Sequence, residues 1–198
     1  MRILLVGATG TIGRAVAASL AGKHELVQAS RSKADERVDL ADPSSIRALF
    51  DRIGRVDAVV SAAGQAAFKP MAELGDEDFA FSLRHKLMGQ VNLVRLGLHS
   101  VADGGSITLT SGVLAQRPEP GTAAISLVNS GLEGFVRAAA LEAPRRIRVN
   151  VVSPPWLTET LQAMGRPLGG SLPAEVVARA YVRSVEGEET GQVISPAP

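Results

Sequence analysis

Apolar positions along the chain fall into two rhythms. Short runs of Val, Ile, Leu and Ala with little polar alternation occur at 2–6, 25–29, 56–60, 105–110, 147–152 and 191–195, the pattern of strands covered on both faces. Between them the spacing lengthens to three and four residues, as in amphipathic helices. Strands and helices in alternation predict an α/β fold, a doubly wound parallel sheet in a single domain over 1–198. Asp42-Pro43-Ser44 reads as an N-cap with proline in the first turn, opening a helix to about Ile53. Asp76 starts a long helical stretch to about Ser100, with an apolar stripe of Phe79, Leu83, Leu87, Val91 and Val94. A further helix lies within 121–143, and Pro173 opens the last one, about 174–186. The stretch 153–172, rich in Pro and Gly, is the one long irregular segment and a candidate lid.

The first strand runs directly into Gly7-Ala8-Thr9-Gly10-Thr11-Ile12-Gly13, and a helical pattern follows from Arg14 to Leu20. A helix N-terminus offers unpaired N–H groups and a positive dipole end, and residues without Cβ let a pyrophosphate approach the backbone. Strand, turn and helix together point to a dinucleotide site on Gly7, Thr9, Gly10, Thr11, Ile12 and Gly13. A tight strand-to-helix turn in some other α/β protein has the same glycines. About twenty residues on, where the ribose 2′ position is read, stands Ser30-Arg31-Ser32. A guanidinium flanked by hydroxyls suits a 2′-phosphate, hence NADP(H), whereas an acid there would bind a free 2′-hydroxyl. The alternative is a solvated loop arginine. Asp39-Leu40 is placed to flank the adenine.

Composition narrows the function classes. Lys and Arg total 21 against 20 for Asp and Glu, so no global charge recruits nucleic acid or an anionic membrane. The absence of cysteine removes disulfides, thiolate nucleophiles and cysteine metal sites, and only three scattered histidines remain, so no metal is expected. No apolar run has the length of a signal peptide or a membrane span, which makes a cytoplasmic protein with a small-molecule substrate the default expectation.

Further motifs appear in order. Ser61-Ala62-Ala63-Gly64 follows the third strand, Gly104-Gly105-Ser106-Ile107-Thr108-Leu109-Thr110-Ser111 forms the fourth, and Arg148-Val149-Asn150 leads into Ser153-Pro154-Pro155-Trp156-Leu157. With Asp39-Leu40, these resemble the short-chain dehydrogenase/reductase family over nearly the whole chain, although the even spacing of the glycine turn resembles its extended or atypical branch while the short chain resembles the classical one. The resemblance implies a Rossmann sheet of about seven strands and a nicotinamide dinucleotide. It places Ala62, Ala63 and Gly64 under the cofactor, Thr110 at the end of the strand that carries the catalytic serine, and Pro154, Pro155, Trp156 and Leu157 on the cofactor-binding loop. It also implies a homodimer or homotetramer formed through the long helix and the helix in 121–143, whose small residues include Ala124, Ser130, Gly131 and Gly134; tight packing of that helix on its own sheet explains them equally.

The departures from the family pattern fall on the chemistry. Counting back from Ser130-Gly131-Leu132-Glu133-Gly134, Asn129 takes the place of the family's lysine and Ile125 that of its tyrosine. The catalytic serine falls on Gly112, beside Ser111, and the helical asparagine falls on Lys86. The single tyrosine, Tyr181, lies in the last helix. Lys86 and Gln90 edge the apolar stripe, so the Lys86 ammonium either snorkels to solvent or faces the cofactor. His85 points away from the stripe. The expected activity is an NADP(H)-dependent reduction of a small carbonyl or related compound, with Lys86 and Ser111 replacing the lost catalytic pair. The alternative is a catalytically silent NADPH-binding sensor or regulatory protein.

Overall fold

The computed structural model describes residues 1–198. Seven parallel strands form one sheet in the order β3-β2-β1-β4-β5-β6-β7, with β1 at Arg2–Val6, β2 at Glu25–Ser30, β3 at Glu36–Arg37, β4 at Val56–Ser61, β5 at Val101–Thr110, β6 at Arg148–Val152 and β7 at Val193–Ile194. Because consecutive strand side chains point to opposite faces, β1 sends Leu4 and Val6 into one core and Ile3 and Leu5 into the other. The first core is closed by α2 (Pro43–Ile53), α4 (Gly89–Gly97) and α5 (Ala123–Glu142); the second by α1 (Thr11–Leu20) and α7 (Ala174–Glu186). Helices on both faces explain why the strands read as unbroken apolar runs.

Local signals act where the sequence places them. Asp42 accepts a hydrogen bond from Ser44 N at 2.8 Å, Pro43 occupies the first turn, and Gly54 ends α2 with φ of 68°. At Gly97 a Cβ would stand 2.4 Å from Phe50 Cζ, so the absence of a side chain sets how closely α4 approaches α2. The sequence of strands reverses between β1 and β4: β2 lies on one side of β1 and β4 on the other. Their C-terminal ends therefore open a crevice.

Three features depart from the expected elements. Strand β3 is only two residues, Glu36 and Arg37, and carries no periodic signal. Strand β5 begins at Val101, ahead of a register irregularity opposite Val56 and Ala58, where Gly105 lies so close to Asp57 O that a Cβ would stand 2.4 Å away. Within the irregular stretch, α6 forms at Thr158–Ala163, and Leu157 pairs with Leu172.

The long stretch from Asp76 is helical throughout, but it runs as α3 (Asp76–Ser82), a π-helical turn at Leu83–Met88, and α4. Its inward face is also a correction to the expected stripe. Of the stripe, Val94 is buried, Phe79, Leu87 and Val91 are half-buried and Leu83 is 37% exposed, whereas Ser82, Lys86, Gly89, Gln90 and Leu93 are buried. Around Lys86–Gln90 the face lies over strand ends and a pocket, so small and polar side chains suit it, while Leu93 and Val94 beyond enter the sheet core; a Cβ on Gly89 would stand 2.8 Å from Leu40 Cβ. Phe81, Met88 and Leu127 are left on the outside.

Candidate functional site

Two adjoining pockets fill the crevice and share Ala62, Ala63 and Gly64 as a common wall. The larger, about 390 Å³, is bounded by Gly7, Thr9 and Gly10 on one side and by Ser30, Arg31 and Ser32 on another, with Asp39 and Leu40 beyond. Lys33, Gln65 and His85 also line it, three residues the sequence reading did not assign. Lys33 stands two positions after Arg31 in the same turn, a signal that was available. The smaller pocket, about 230 Å³, is lined by Ile12, Lys86, Thr110, Ser111 and Asn129, and by Pro154, Pro155, Trp156 and Leu157. Thr11 and Gly13 belong to α1 but line neither pocket.

The three glycines of the first turn have different tasks. Gly7 has φ of +86°, and a Cβ there would stand 2.7 Å from Ala62 O; a Cβ on Gly13 would stand 2.0 Å from Gly7 O. Both therefore serve backbone packing within the protein. Gly10 has an ordinary φ of −77°, and its missing Cβ meets only Gly7 O at 3.4 Å. As the N-cap of α1, Gly10 supplies no side-chain acceptor, and the first helical bond is Arg14 N to Gly10 O at 2.9 Å. The N–H groups of Thr11, Ile12 and Gly13 have no acceptor within the protein, the arrangement that can receive an anion. Ser30 Oγ accepts from Lys33 N and Ala34 N, both at 2.9 Å, and so shapes the turn that displays the exposed Arg31. Asp39 likewise accepts from Ala41 N at 2.9 Å.

At the other end, Lys86 is 8% exposed, and Nζ donates to the backbone oxygen of Ser111 at 3.3 Å. Snorkelling to bulk solvent is thereby excluded in this conformation. Burial alone pulls its pKa down from 10.5 to about 8, with no carboxylate opposing the shift. The Ser111 hydroxyl points elsewhere: it donates to Glu133 Oε1 at 3.0 Å, and Gln116 Nε2 donates to Glu133 Oε2. Lys86 and Ser111 are thus neighbours through the serine carbonyl and not through its hydroxyl. Gln90, the second polar residue of this face, clamps the end of β5, giving Nε2–H to Thr110 O and taking Thr110 N–H, each at 2.8 Å.

Asn129 and Gly112 fit one another. Asn129 Nδ2 donates to Gly112 O at 3.3 Å, and a Cβ on Gly112 would stand 2.9 Å from that nitrogen. Asn129 Oδ1 is buried without a partner, an orphaned acceptor on a residue that lines the pocket. Ile125 is a buried apolar wall of the same pocket. Tyr181 is fully buried in α7, where burial pushes its hydroxyl pKa well up; the hydroxyl lies 2.6 Å from Thr110 Oγ1, which itself donates to Ser61 O. Tyr181→Phe is expected to cost about 0.5–1.5 kcal/mol of stability, for one buried hydrogen bond, and to leave turnover unaltered. Denaturant unfolding and a rate assay check this, and a large loss of rate at unchanged stability would contradict a structural role.

The pocket mouth is held by contacts between distant segments. Trp156 Nε1 donates to Glu119 Oε1 at 3.0 Å, Arg166 Nη2 pairs with Glu119 Oε2 at 3.1 Å, and the Arg166 guanidinium lies 5.1 Å over the Trp156 ring. Phe68 leans on the same ring, with centroids 5.9 Å apart.

These residues fit a nicotinamide dinucleotide. The N-terminus of α1 beside Gly10 has the free donors a pyrophosphate needs, the wall at 62–64 is common to both pockets, and Asn129 Oδ1 is an acceptor without a donor. Comparison with known proteins agrees. A family model described as "Enoyl-(Acyl carrier protein) reductase" matches residues 7–195. The 1-cyclohexenylcarbonyl-CoA reductase of Streptomyces collinus is 30% identical over 76% of this chain, which spans 62% of that protein's length. Among solved structures, the protein lin1944 from Listeria innocua superposes with a TM-score of 0.96 at 41% identity, covering all of both chains. A small-chain dehydrogenase in complex with NADPH gives 0.88 at 26% identity, over 98% of this chain and 95% of that one.

Proposed function

Because the chain belongs to the short-chain dehydrogenase/reductase family, we propose that it is an NADP(H)-dependent oxidoreductase that reduces a small carbonyl or related compound. The observation that carries the reading is the pair of joined pockets at the β1/β4 crevice, one beside the glycine turn and Arg31, the other holding a single buried ammonium. The first turn of α1 would hold the pyrophosphate, Arg31 and Ser32 the 2′-phosphate, and Asp39 and Leu40 the adenine end. Asn129 and residues 154–157 would hold the nicotinamide end. When bound, the dinucleotide supplies the hydride.

The protein's own part is polarity and proton supply. An ammonium has three donors, and Lys86 gives one to Ser111 O. Its remaining N–H groups are available to a substrate oxygen in a pocket walled by Ile125, Val113, Leu114 and Trp156, where weak screening strengthens the interaction. A group with a pKa of about 8 is also suited to deliver a proton near neutral pH. Glu133 fixes Ser111, and Ser111 O in turn orients Lys86. The test is a panel of aldehydes, ketones and enones with NADPH, followed by loss of the reduced nicotinamide absorbance.

Cofactor choice has its own test. NADPH should bind more tightly than NADH, and Arg31→Ala should remove most of that preference, about 1–3 kcal/mol for a charge-assisted contact. Equal calorimetric affinities of the wild type for both cofactors would refute it.

One observation favours a second reading, an NADPH-binding sensor without turnover: no tyrosine lines either pocket, and Tyr181 is fully buried against Thr110. Silence across the substrate panel, together with tight NADPH binding, would select it. In either case the outward Phe81, Met88 and Leu127 support association into a homodimer or homotetramer, and segment 153–172 serves as the lid. No helix is long and apolar enough to cross a membrane.

A further inference from the structure

The smaller pocket has an unusual electrostatic make-up. Of the side chains that line it, Lys86 alone is ionisable; the others are apolar, hydroxyl, amide or glycine. The ammonium has one protein partner, a neutral carbonyl oxygen at 3.3 Å. Its stem lies against the wall common to both pockets, since a Cβ on Gly64 would stand 3.0 Å from Lys86 Cγ. The site therefore presents one positive charge on a buried side chain, with no compensating anion.

We propose that Lys86 makes this site discriminate between the redox states of its dinucleotide, taking NADPH, with a neutral nicotinamide, in preference to NADP⁺, with a cationic one. This rests on the reading of the joined pockets as a dinucleotide site with the nicotinamide end beside Lys86. Two unit positive charges within one pocket repel appreciably at the effective dielectric of a protein, and even a separation of roughly 10 Å is enough for about a tenfold difference in affinity. The repulsion is relieved when Lys86 loses its proton, so NADP⁺ binding and deprotonation are linked. With the pKa already drawn to about 8, the preference for NADPH is present below that pH and fades above it.

Other charged groups do not account for such a difference. His85, Arg31 and Lys33 face the larger pocket, where both ligands carry the same adenosine phosphate half, and their effects cancel in the ratio of affinities. On α5, Glu133 is taken up by Ser111 and Gln116 and lines neither pocket. The wall at 62–64, the turn at 110–112 and the loop at 154–157 carry no charge.

The experiment measures dissociation constants of NADPH and NADP⁺ for the wild type and Lys86→Met from about pH 6.5 to about pH 9.5. The expected wild-type ratio is about tenfold in favour of NADPH at the acid end, shrinking as pH rises through 8, because NADP⁺ binding tightens. In Lys86→Met the ratio should be small and independent of pH. A wild-type measurement needs no variant: calorimetry in buffers of different ionisation enthalpy should show proton release on binding NADP⁺ near pH 7 and none on binding NADPH. A flat ratio near one, no differential proton release, or a ratio unchanged in Lys86→Met overturns the inference while leaving the dinucleotide site intact. Failure of both nucleotides to bind overturns the site as well.

Discussion

Lys86→Met is expected to lower kcat a hundred- to thousandfold on whichever compound the protein reduces, with NADPH affinity changed far less. The loss corresponds to about 2.7–4 kcal/mol, the usual cost of removing one donor aimed at developing negative charge. Methionine keeps the unbranched stem that lies against Gly64 and removes only the ammonium, so the comparison isolates charge from packing. Lys86 must be protonated to donate, and its pKa stands at about 8; the wild-type rate should therefore fall as pH rises through that value. Ser111→Ala should cost less, because its hydroxyl serves Glu133 and its carbonyl, which meets Lys86, survives the substitution. Steady-state rates and NADPH titrations of both variants provide the check. Unchanged turnover in Lys86→Met would remove this residue from the chemistry.

Gly13→Val and Gly7→Val should abolish dinucleotide binding, and Gly13→Val should also cost much of the fold. The reason is internal: a Cβ on Gly13 meets Gly7 O at 2.0 Å and one on Gly7 meets Ala62 O at 2.7 Å, both backbone atoms that cannot swing aside. Gly10→Val is the informative companion. Its backbone conformation suits any residue and its nearest neighbour is 3.4 Å away, so the variant should melt within a few degrees of wild type yet lose NADPH affinity by at least about tenfold, because the side chain fills the space beside the first turn of α1. Thermal melts and cofactor titrations separate the two effects. A stable Gly10→Val that binds NADPH normally would move the phosphate site elsewhere.

What the sequence made legible follows from which interactions are local. Runs such as Ile3-Leu4-Leu5-Val6 declared strands buried on both faces, and Asp42-Pro43-Ser44 declared a helix start, because each signal lies within a few residues. Glu36-Arg37 was invisible because two polar residues have no period. The stripe on the helix from Asp76 was legible only in part: Val94 enters the core and Leu87 packs against it, but Leu83 is exposed, and the inward face at 82–90 needs small and polar groups to meet Leu40, Thr110 and the pocket. Counting from Gly131 and Gly89 located Asn129 and Lys86 at the site. The direction of the Ser111 hydroxyl was beyond such counting, since it is set by Glu133, 22 residues away.

The bonds around Trp156 bear on how this protein can be diversified. Glu119 belongs to the connection after β5, Trp156 to the segment after β6, and Arg166 to the stretch beyond α6. Glu119 and Arg166 line neither pocket, so they form a part of the mouth that can vary apart from Lys86 and the glycine turn. A library confined to Phe68, Glu119 and Arg166 would sample access and selectivity while Lys86, the loop at 154–157 and the glycine turn keep their sequence. Exchanging Glu119 and Arg166 for each other keeps the opposite charges but leaves the indole N–H facing a guanidinium with no acceptor, so productive libraries would retain an oxygen at position 119.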